Sequence, residues 1–287
     1  MQISGLTRPF AVLGHPIDHS LSPVMHNAAF QSLRMDAVYL AFDVRPERLP
    51  SLLPALADLG FGGVNLTVPL KETAFNDLSD LDESARRLGA VNTVQFLAGG
   101  ALRGYNTDGD GFLAAVAEAF GIEVAGRSLF FLGTGGAGRA VALTCAASGA
   151  GRIALSDIDG RRVDQLAAEI AGNAPAVEVA KVAPELAAQQ RACREAELIV
   201  HCTPVGMKPG EPSLLPSGAF RSGQMLFDLI YMYPETAIMR AAREAGALTV
   251  NGLGMLLHQG ARAFTIWTGR PAAVNAMRSA LQQKVYG

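Results

Sequence analysis

The sequence predicts an α/β protein whose middle portion forms a doubly wound parallel sheet. Three observations predict it. Short apolar strand-like runs alternate with helical stretches through most of the chain. The alternation is most regular from Ser128 to Ile230, and a glycine-rich turn follows the first strand of that region directly. With 287 residues against ~150 per typical domain, about two domains are expected. The composition, 49% apolar and 17% charged, supplies sizeable cores and argues against disorder.

In chain order, strands are expected at Phe10–Gly14, Ala37–Val44 and Gly63–Val68. The runs VNTVQFL and LRGYN follow, and Ala98-Gly99-Gly100 between them reads as a hairpin turn. One helix begins at Ser22-Pro23, a hydroxyl N-cap with Pro at the first helical position, and another covers about residues 45–59. The middle then runs SLFFLG strand, RAVALTCAAS helix, RIALSD strand, DGRRVDQLAAEI helix and a strand near residues 177–182. ELIVHC and MLFDLI add two more strands, with helical or loop segments between. From Gly254 on, apolar positions fall at helical spacing without a strand pattern. Domain bounds are therefore placed at 1–109 and 110–250, with C-terminal helices at 251–287 returning to the first domain.

Several function classes are excluded on composition. A net charge of −2 offers no basic excess for a nucleic-acid backbone. Three scattered cysteines form no disulfide framework and no CxxC pair, which fits a reducing cytoplasm. The N-terminal apolar run is too short and broken for a signal peptide, and nowhere do 18 apolar residues run together. Five histidines include no HExxH and no tight cluster, so no metal site is expected, and there is no GxSxG elbow.

Gly133-Thr134-Gly135-Gly136-Ala137-Gly138 fits G-x-G-x-x-G, the dinucleotide fingerprint of Rossmann domains. The first Gly permits the tight turn, the second lets backbone approach a pyrophosphate, and the third allows close helix–strand contact. The following helix N-terminus offers N–H groups to the phosphates. Asp157 ends the next strand, 19 residues beyond Gly138, where a carboxylate accepts from the adenosine ribose and repels a 2′-phosphate. NAD is therefore favoured over NADP. Arg161 and Arg162 follow; they read first as a solvated helix start, with a counter to that repulsion as the other reading.

Four tracts of small polar residues lie in the N-terminal part: HSLSPVMHN, NLTVPLK, GAVNT and GYNTDGDG. Taken alone, Lys71 is an ordinary surface lysine, and Asp108, in a Gly- and Asn-rich loop, a turn former or N-cap. Together the tracts form a ring of Ser, Thr and Asn around one Lys and one Asp. Such a ring suits a small polyhydroxylated carboxylate, since any buried partner left unpaired costs a few kcal/mol.

These tracts in this order, continued by TPVGM and NGLGMLLHQGARAF, resemble the shikimate dehydrogenase family nearly end to end. The resemblance implies that Ser20 and Ser22 hold the substrate carboxylate, and that Thr67, Lys71, Asn92 and Asp108 hold the ring hydroxyls. Gln259 and Tyr231 also reach substrate, Lys71 and Asp108 are the catalytic acid–base pair, and Gly252 lies near the nicotinamide. Gly133, Gly135, Gly136, Ala137, Gly138, Asp157, Arg162 and Thr203 complete the coenzyme site. The activity implied is interconversion of shikimate and 3-dehydroshikimate, quinate and 3-dehydroquinate, or both, in a cleft that closes between domains, by a monomer or homodimer.

Two departures from the family pattern stand out. NADP-using members carry Asn-Arg-Thr after the second strand, with the Arg on the 2′-phosphate, whereas this chain has Asp157-Ile158-Asp159. That resembles the NAD-linked quinate/shikimate branch. His201-Cys202 stand where the family more often has Asn-Ala. The alternatives are an NADP-linked biosynthetic enzyme using Arg161 or Arg162, an aminoshikimate-type dehydrogenase, and a silent NAD(H) sensor. Retention of both Lys71 and Asp108 argues against the last.

Overall fold

A computed structural model describes residues 3–287. The chain divides into two compact units, one comprising the chain through Gly111 together with Leu256–Val285, the other Phe112–Met255.

The first unit is built on six strands: β1 (Arg8–Gly14), β2 (Ala37–Asp43), β3 (Gly63–Leu66), β4 (Asp80–Leu81), β5 (Thr93–Phe96) and β6 (Leu102–Tyr105). Their order across the sheet is β2-β1-β3-β5-β6-β4. β1 runs parallel to both its neighbours, and β5 pairs antiparallel with β3 and β6, closing the expected hairpin. Helices α1 (Ser22–Ser32), α2 (Leu49–Asp58), α3 (Leu70–Asp77) and α4 (Glu83–Leu88) connect these strands, and α5 (Asp108–Phe120) follows β6. Ala11 and Leu13 of β1, Val64 and Leu66 of β3, and Leu49 and Leu53 of α2 share one buried core. Parallel central strands covered on both sides need apolar residues at consecutive positions, which is how β1 reads.

Two local expectations need correction. Ser22 is not the N-cap of α1: Leu21 holds that position without a side-chain cap bond, and Ser22 is the first helical residue. The Ser22 N–H is instead satisfied from upstream by Ser20 Oγ at 3.3 Å. Asp108 is not in a loop but opens α5. The Asn106 side chain makes the turn there, its Oδ1 accepting from the Asp108 N–H at 3.0 Å.

The second unit alternates strand and helix: β7 (Ser128–Leu132), α6 (Gly136–Ala147), β8 (Arg152–Ser156), α7 (Gly160–Asn173), β9 (Glu178–Lys181), α8 (Leu186–Glu195), β10 (Leu198–His201), β11 (Met225–Asp228), α9 (Ala237–Glu244) and β12 (Leu248–Val250). All six strands are parallel, in the order β9-β8-β7-β10-β11-β12. This is a doubly wound Rossmann sheet whose order reverses between β7 and β10, where the carboxyl ends of the strands leave a binding crevice. α7 shows how locally such elements are written. Val163, Leu166 and Ile170 form its buried stripe, and the Asp159 side chain caps it by accepting from the Arg161 N–H at 3.1 Å.

The chain ends in α10 (Leu253–Thr268) and α11 (Val274–Tyr286). α10 supplies Phe264 and Trp267 to an aromatic cluster on the first unit's sheet, with the Phe10 and Trp267 ring centroids 5.5 Å apart and those of Phe30 and Phe264 5.4 Å apart. Trp267 Nε1 donates to the Val94 carbonyl at 3.0 Å, so the buried indole is also paired.

Candidate active site

In the first unit, strand register assembles a buried polar chain. β3 and β5 pair Asn65 with Thr93, and Asn65 Nδ2 donates to Thr93 Oγ1 at 3.0 Å. Tyr39 Oη donates to Asn65 Oδ1 at 2.7 Å, and Thr93 Oγ1 donates to Asn92 Oδ1 at 2.9 Å. Asn92 Nδ2 in turn donates to Asp108 Oδ1 at 2.9 Å, and Lys71 Nζ donates to Asp108 Oδ2 at 2.6 Å. Tyr39, Asn65, Thr93, Asn92, Asp108 and Lys71 are thus continuously connected.

The architecture explains each placement. Lys71 stands in the first turn of α3, just past β3, and Asp108 starts α5, just past β6. Asn92 sits at the entrance to β5, its Oδ1 also accepting the Thr107 N–H at 2.9 Å. Asp108 and Asn92 are buried, while the Lys71 side chain is 24% exposed. A fixed carboxylate beside a partly open amine is an arrangement able to hold and move a proton. Thr67 lies half-buried at the end of β3, and Ser20 half-buried before α1. Gln259 of α10 packs against Gly111, where an added Cβ would lie 2.7 Å from the Gln259 Cβ. Tyr231 belongs to the second unit, beyond β11. The sequence reading missed Tyr39 and Asn65; the available signal was an Asn and a Tyr embedded in apolar strand runs.

In the second unit, the glycine turn divides into two kinds of position. Gly133 has φ +96°, and a Cβ there would lie 2.9 Å from the Cys202 carbonyl. A Cβ on Gly138 would meet the Gly133 carbonyl oxygen. By contrast, Gly136 faces open space, and Gly135 would meet only an Arg162 guanidinium nitrogen at 3.9 Å. Ala137 is exposed in the first turn of α6. Tight backbone packing beneath and open N–H groups above at a helix start fit a dinucleotide pyrophosphate.

Asp157, directly after β8, ties the turn down: Oδ2 accepts from the Thr134 N–H at 2.7 Å and Oδ1 from the Asp159 N–H at 2.9 Å. Burial alone would raise its pKa, but the Asp159 and Thr134 donors and the Arg162 charge hold it below the usual carboxylate value. Ile158 is 94% exposed, and Arg162 Nε lies 3.7 Å from Asp159 Oδ2.

At the ends of β10 and β11 lies a second buried constellation. His201 Nδ1 is 2.9 Å from Asp228 Oδ1, and His201 Nε2 is 2.6 Å from Thr203 Oγ1. Asp228 Oδ2 also accepts from Thr236 Oγ1 at 2.5 Å. Burial pushes the neighbouring Cys202 thiol well above its ordinary pKa, with the Asp228 charge adding to it. Gly252 is buried, and a Cβ there would collide with the Leu229 carbonyl. Among the described residues, no group of three or more His, Cys, Asp or Glu is placed to hold a metal ion, and no helix is long and apolar enough to cross a membrane.

A doubly wound sheet with a fitted glycine turn, in a chain whose other unit carries a partly open Lys–Asp pair, has the features of a dinucleotide-dependent oxidoreductase. Residues 12–94 match the shikimate dehydrogenase substrate binding domain, and residues 252–282 match the shikimate 5'-dehydrogenase C-terminal domain. A shikimate dehydrogenase (NADP(+)) of Moorella thermoacetica is 44% identical over 285 residues, covering 99% of this chain and 95% of that protein. The crystal structure of shikimate 5-dehydrogenase from Listeria monocytogenes in complex with shikimate and NAD matches with TM-score 0.90 and 33% identity, covering 98% of each chain. Quinate dehydrogenase from Corynebacterium glutamicum in complex with NAD matches with TM-score 0.88 and 31% identity, over 96% of this chain and 99% of that one. The chain belongs to the shikimate dehydrogenase family.

Proposed function

We propose that this chain is an NAD-linked dehydrogenase that oxidises the ring hydroxyl of shikimate, of quinate or of both, reversibly, to the 3-dehydro acid. The observation that carries the reading is the 2.6 Å contact between Lys71 Nζ and Asp108 Oδ2 at the end of the buried polar chain. A bound nicotinamide dinucleotide supplies the two-electron hydride acceptor. Lys71, as the free amine at that moment, takes the proton leaving the hydroxyl, and in reverse its ammonium returns it. Asp108 orients the Lys71 nitrogen, and Asn92 fixes Asp108 through its other oxygen. Proton transfer of this kind is worth ~10²–10⁴ in rate. Ser20 and Ser22 take the substrate carboxylate, and Thr67, Asn92 and Gln259 match its hydroxyls.

The coenzyme preference rests on Asp157-Ile158-Asp159. Two carboxylates flank a side chain that cannot pair with phosphate, and Asp159 already engages Arg162. A dianionic 2′-phosphate placed there meets like charge. The curated relatives are named for NADP(+), while neighbours were solved with NADP or with NAD, so the NAD reading rests on this local tract alone.

The test is a matrix of initial rates: shikimate and quinate, each with NAD and NADP, at mildly alkaline pH. NAD is expected to exceed NADP in kcat/KM by at least about tenfold, a discrimination of roughly 1.4 kcal/mol. Asp157→Asn removes the charge while keeping one acceptor oxygen for the glycine turn, and it is expected to narrow that ratio. An NADP preference in the wild type overturns the coenzyme reading, and four silent combinations overturn the activity.

A further inference from the structure

We propose that His201 is a positioning residue for the nicotinamide end of the coenzyme: it holds the Thr203 hydroxyl proton, leaving that oxygen able only to accept, and the donor it accepts from is the nicotinamide carboxamide N–H. The inference rests on the dinucleotide reading of the second unit.

The hydrogen bonds at Asp228 fix one end of the chain. Asp228 receives His201 Nδ1, the Ile230 N–H at 3.0 Å and Thr236 Oγ1, three donors on one carboxylate. A carboxylate accepts only, so Nδ1 carries a ring proton, and in the Nδ1–H tautomer Nε2 offers a lone pair. In that tautomer Thr203 Oγ1, 2.6 Å away, donates to Nε2. Its oxygen also accepts the Val205 N–H at 3.2 Å. A hydroxyl has one proton and two lone pairs. One lone pair is therefore left, with no proton to give.

Topology places that oxygen. Thr203 is the second residue beyond β10, and its Cγ2 lies 3.0 Å from where a Cβ on Gly133 would stand, against the turn that follows β7. The sheet order reverses between these two strands, so Thr203 borders the crevice in which a dinucleotide lies. Asp157, at the end of β8, marks the adenosine side, so the strands from β10 to β12 underlie the nicotinamide half. The carboxamide there presents an N–H₂ donor and a carbonyl acceptor. An accept-only oxygen engages the N–H₂ and so selects one rotation of the carboxamide. His201 and Asp228 are 1% and 0% exposed. They do not reach the ligand themselves, and their effect passes through Thr203.

The experiment compares dissociation constants of the full-length chain for NADH and for reduced 3-acetylpyridine adenine dinucleotide, in which a methyl replaces the amide N–H₂. Both are read by fluorescence, without turnover. The wild type is expected to bind NADH roughly five- to tenfold more tightly, the worth of one hydrogen bond. Thr203→Val should bring the ratio to about one, and Thr203→Ser should restore it. His201→Leu should lower it with Thr203 intact. A wild type without preference, or a Thr203→Val variant that keeps it, overturns the proposal. Nitrogen chemical shifts of the wild-type imidazole decide the role of His201 independently of any variant's folding, since a proton on Nε2 overturns it. No NADH binding by the wild type overturns instead the dinucleotide reading on which the inference stands.

Discussion

Lys71→Met separates catalysis from stability at the candidate acid–base pair. Methionine keeps most of the side-chain length and removes the ammonium, leaving Asp108 Oδ2 without its 2.6 Å partner. The cost to folding is bracketed by the pair's position, with side-chain exposures of 24% for Lys71 and 10% for Asp108. An exposed ion pair is worth ~0–1 kcal/mol, while stripping one member from a buried pair costs ~3–5 kcal/mol. Asn92 continues to donate to Asp108 Oδ1 at 2.9 Å, which keeps the expected loss near the lower end, about 1–2 kcal/mol. At roughly 2–4 °C per kcal/mol, Tm should fall by about 2–8 °C. The rate should fall far more. Losing the proton acceptor removes ~10²–10⁴ from kcat, or about 2.7–5.5 kcal/mol of barrier. Initial rates with varied shikimate at saturating coenzyme, alongside a thermal melt and NADH binding, measure all three. NADH affinity should be unchanged. A kcat/KM within about threefold of wild type refutes the acid–base assignment. A Tm loss well beyond the bracket shows instead that Lys71 is chiefly structural.

Two further predictions concern residues away from the reacting groups. His26 is fully buried, stacks on Tyr39 at 4.3 Å, and neither ring nitrogen finds a hydrogen-bond partner among the described residues. Burial pushes its pKa down to about 3. The folded chain therefore refuses a proton that the unfolded chain takes up below ~6.5. This contribution to stability is complete above that pH and is lost as pH falls toward about 3, at up to ~1.4 kcal/mol per unit. His26→Leu should thus shift the acid-unfolding midpoint to lower pH, and an unmoved midpoint would refute the linkage. Gly138→Ala places a Cβ against the Gly133 carbonyl oxygen and 3.0 Å from the Cys202 Cβ, so the turn must move. A stability loss of about 1–3 kcal/mol and at least a tenfold weaker NADH dissociation constant are expected. Binding equal to wild type in a titration would show that the turn does not cradle the coenzyme.

Much of the second unit was legible because its information is local. β7 and β10 are buried on both faces and read as unbroken apolar runs, and Gly133 is demanded by a backbone angle that neighbouring residues cannot relieve. The amphipathic stripe of α7 repeats within one helix. Other pieces left weaker traces. β12 has three residues, too few to display alternation, and α8 buries only Ala192 and Cys193.

The candidate site shows the boundary most clearly. Lys71, Asn92 and Asp108 were recognisable as residue types in short tracts, because each tract shapes its own turn. What joins them was not recognisable. Asn65 meets Thr93 only because β3 and β5 pair in one register, and Tyr39 reaches Asn65 from β2, two strands away across the sheet. Asp228 fixes His201 only because β10 and β11 lie side by side with these two residues in register. By itself the sequence determined which backbone segments are strand, turn and helix over most of the chain, since periodicity and glycine angles act between near neighbours. Tertiary structure alone decided which buried polar atoms are paired, since a hydrogen bond depends on distances of a few tenths of an ångström set by strand pairing between distant segments.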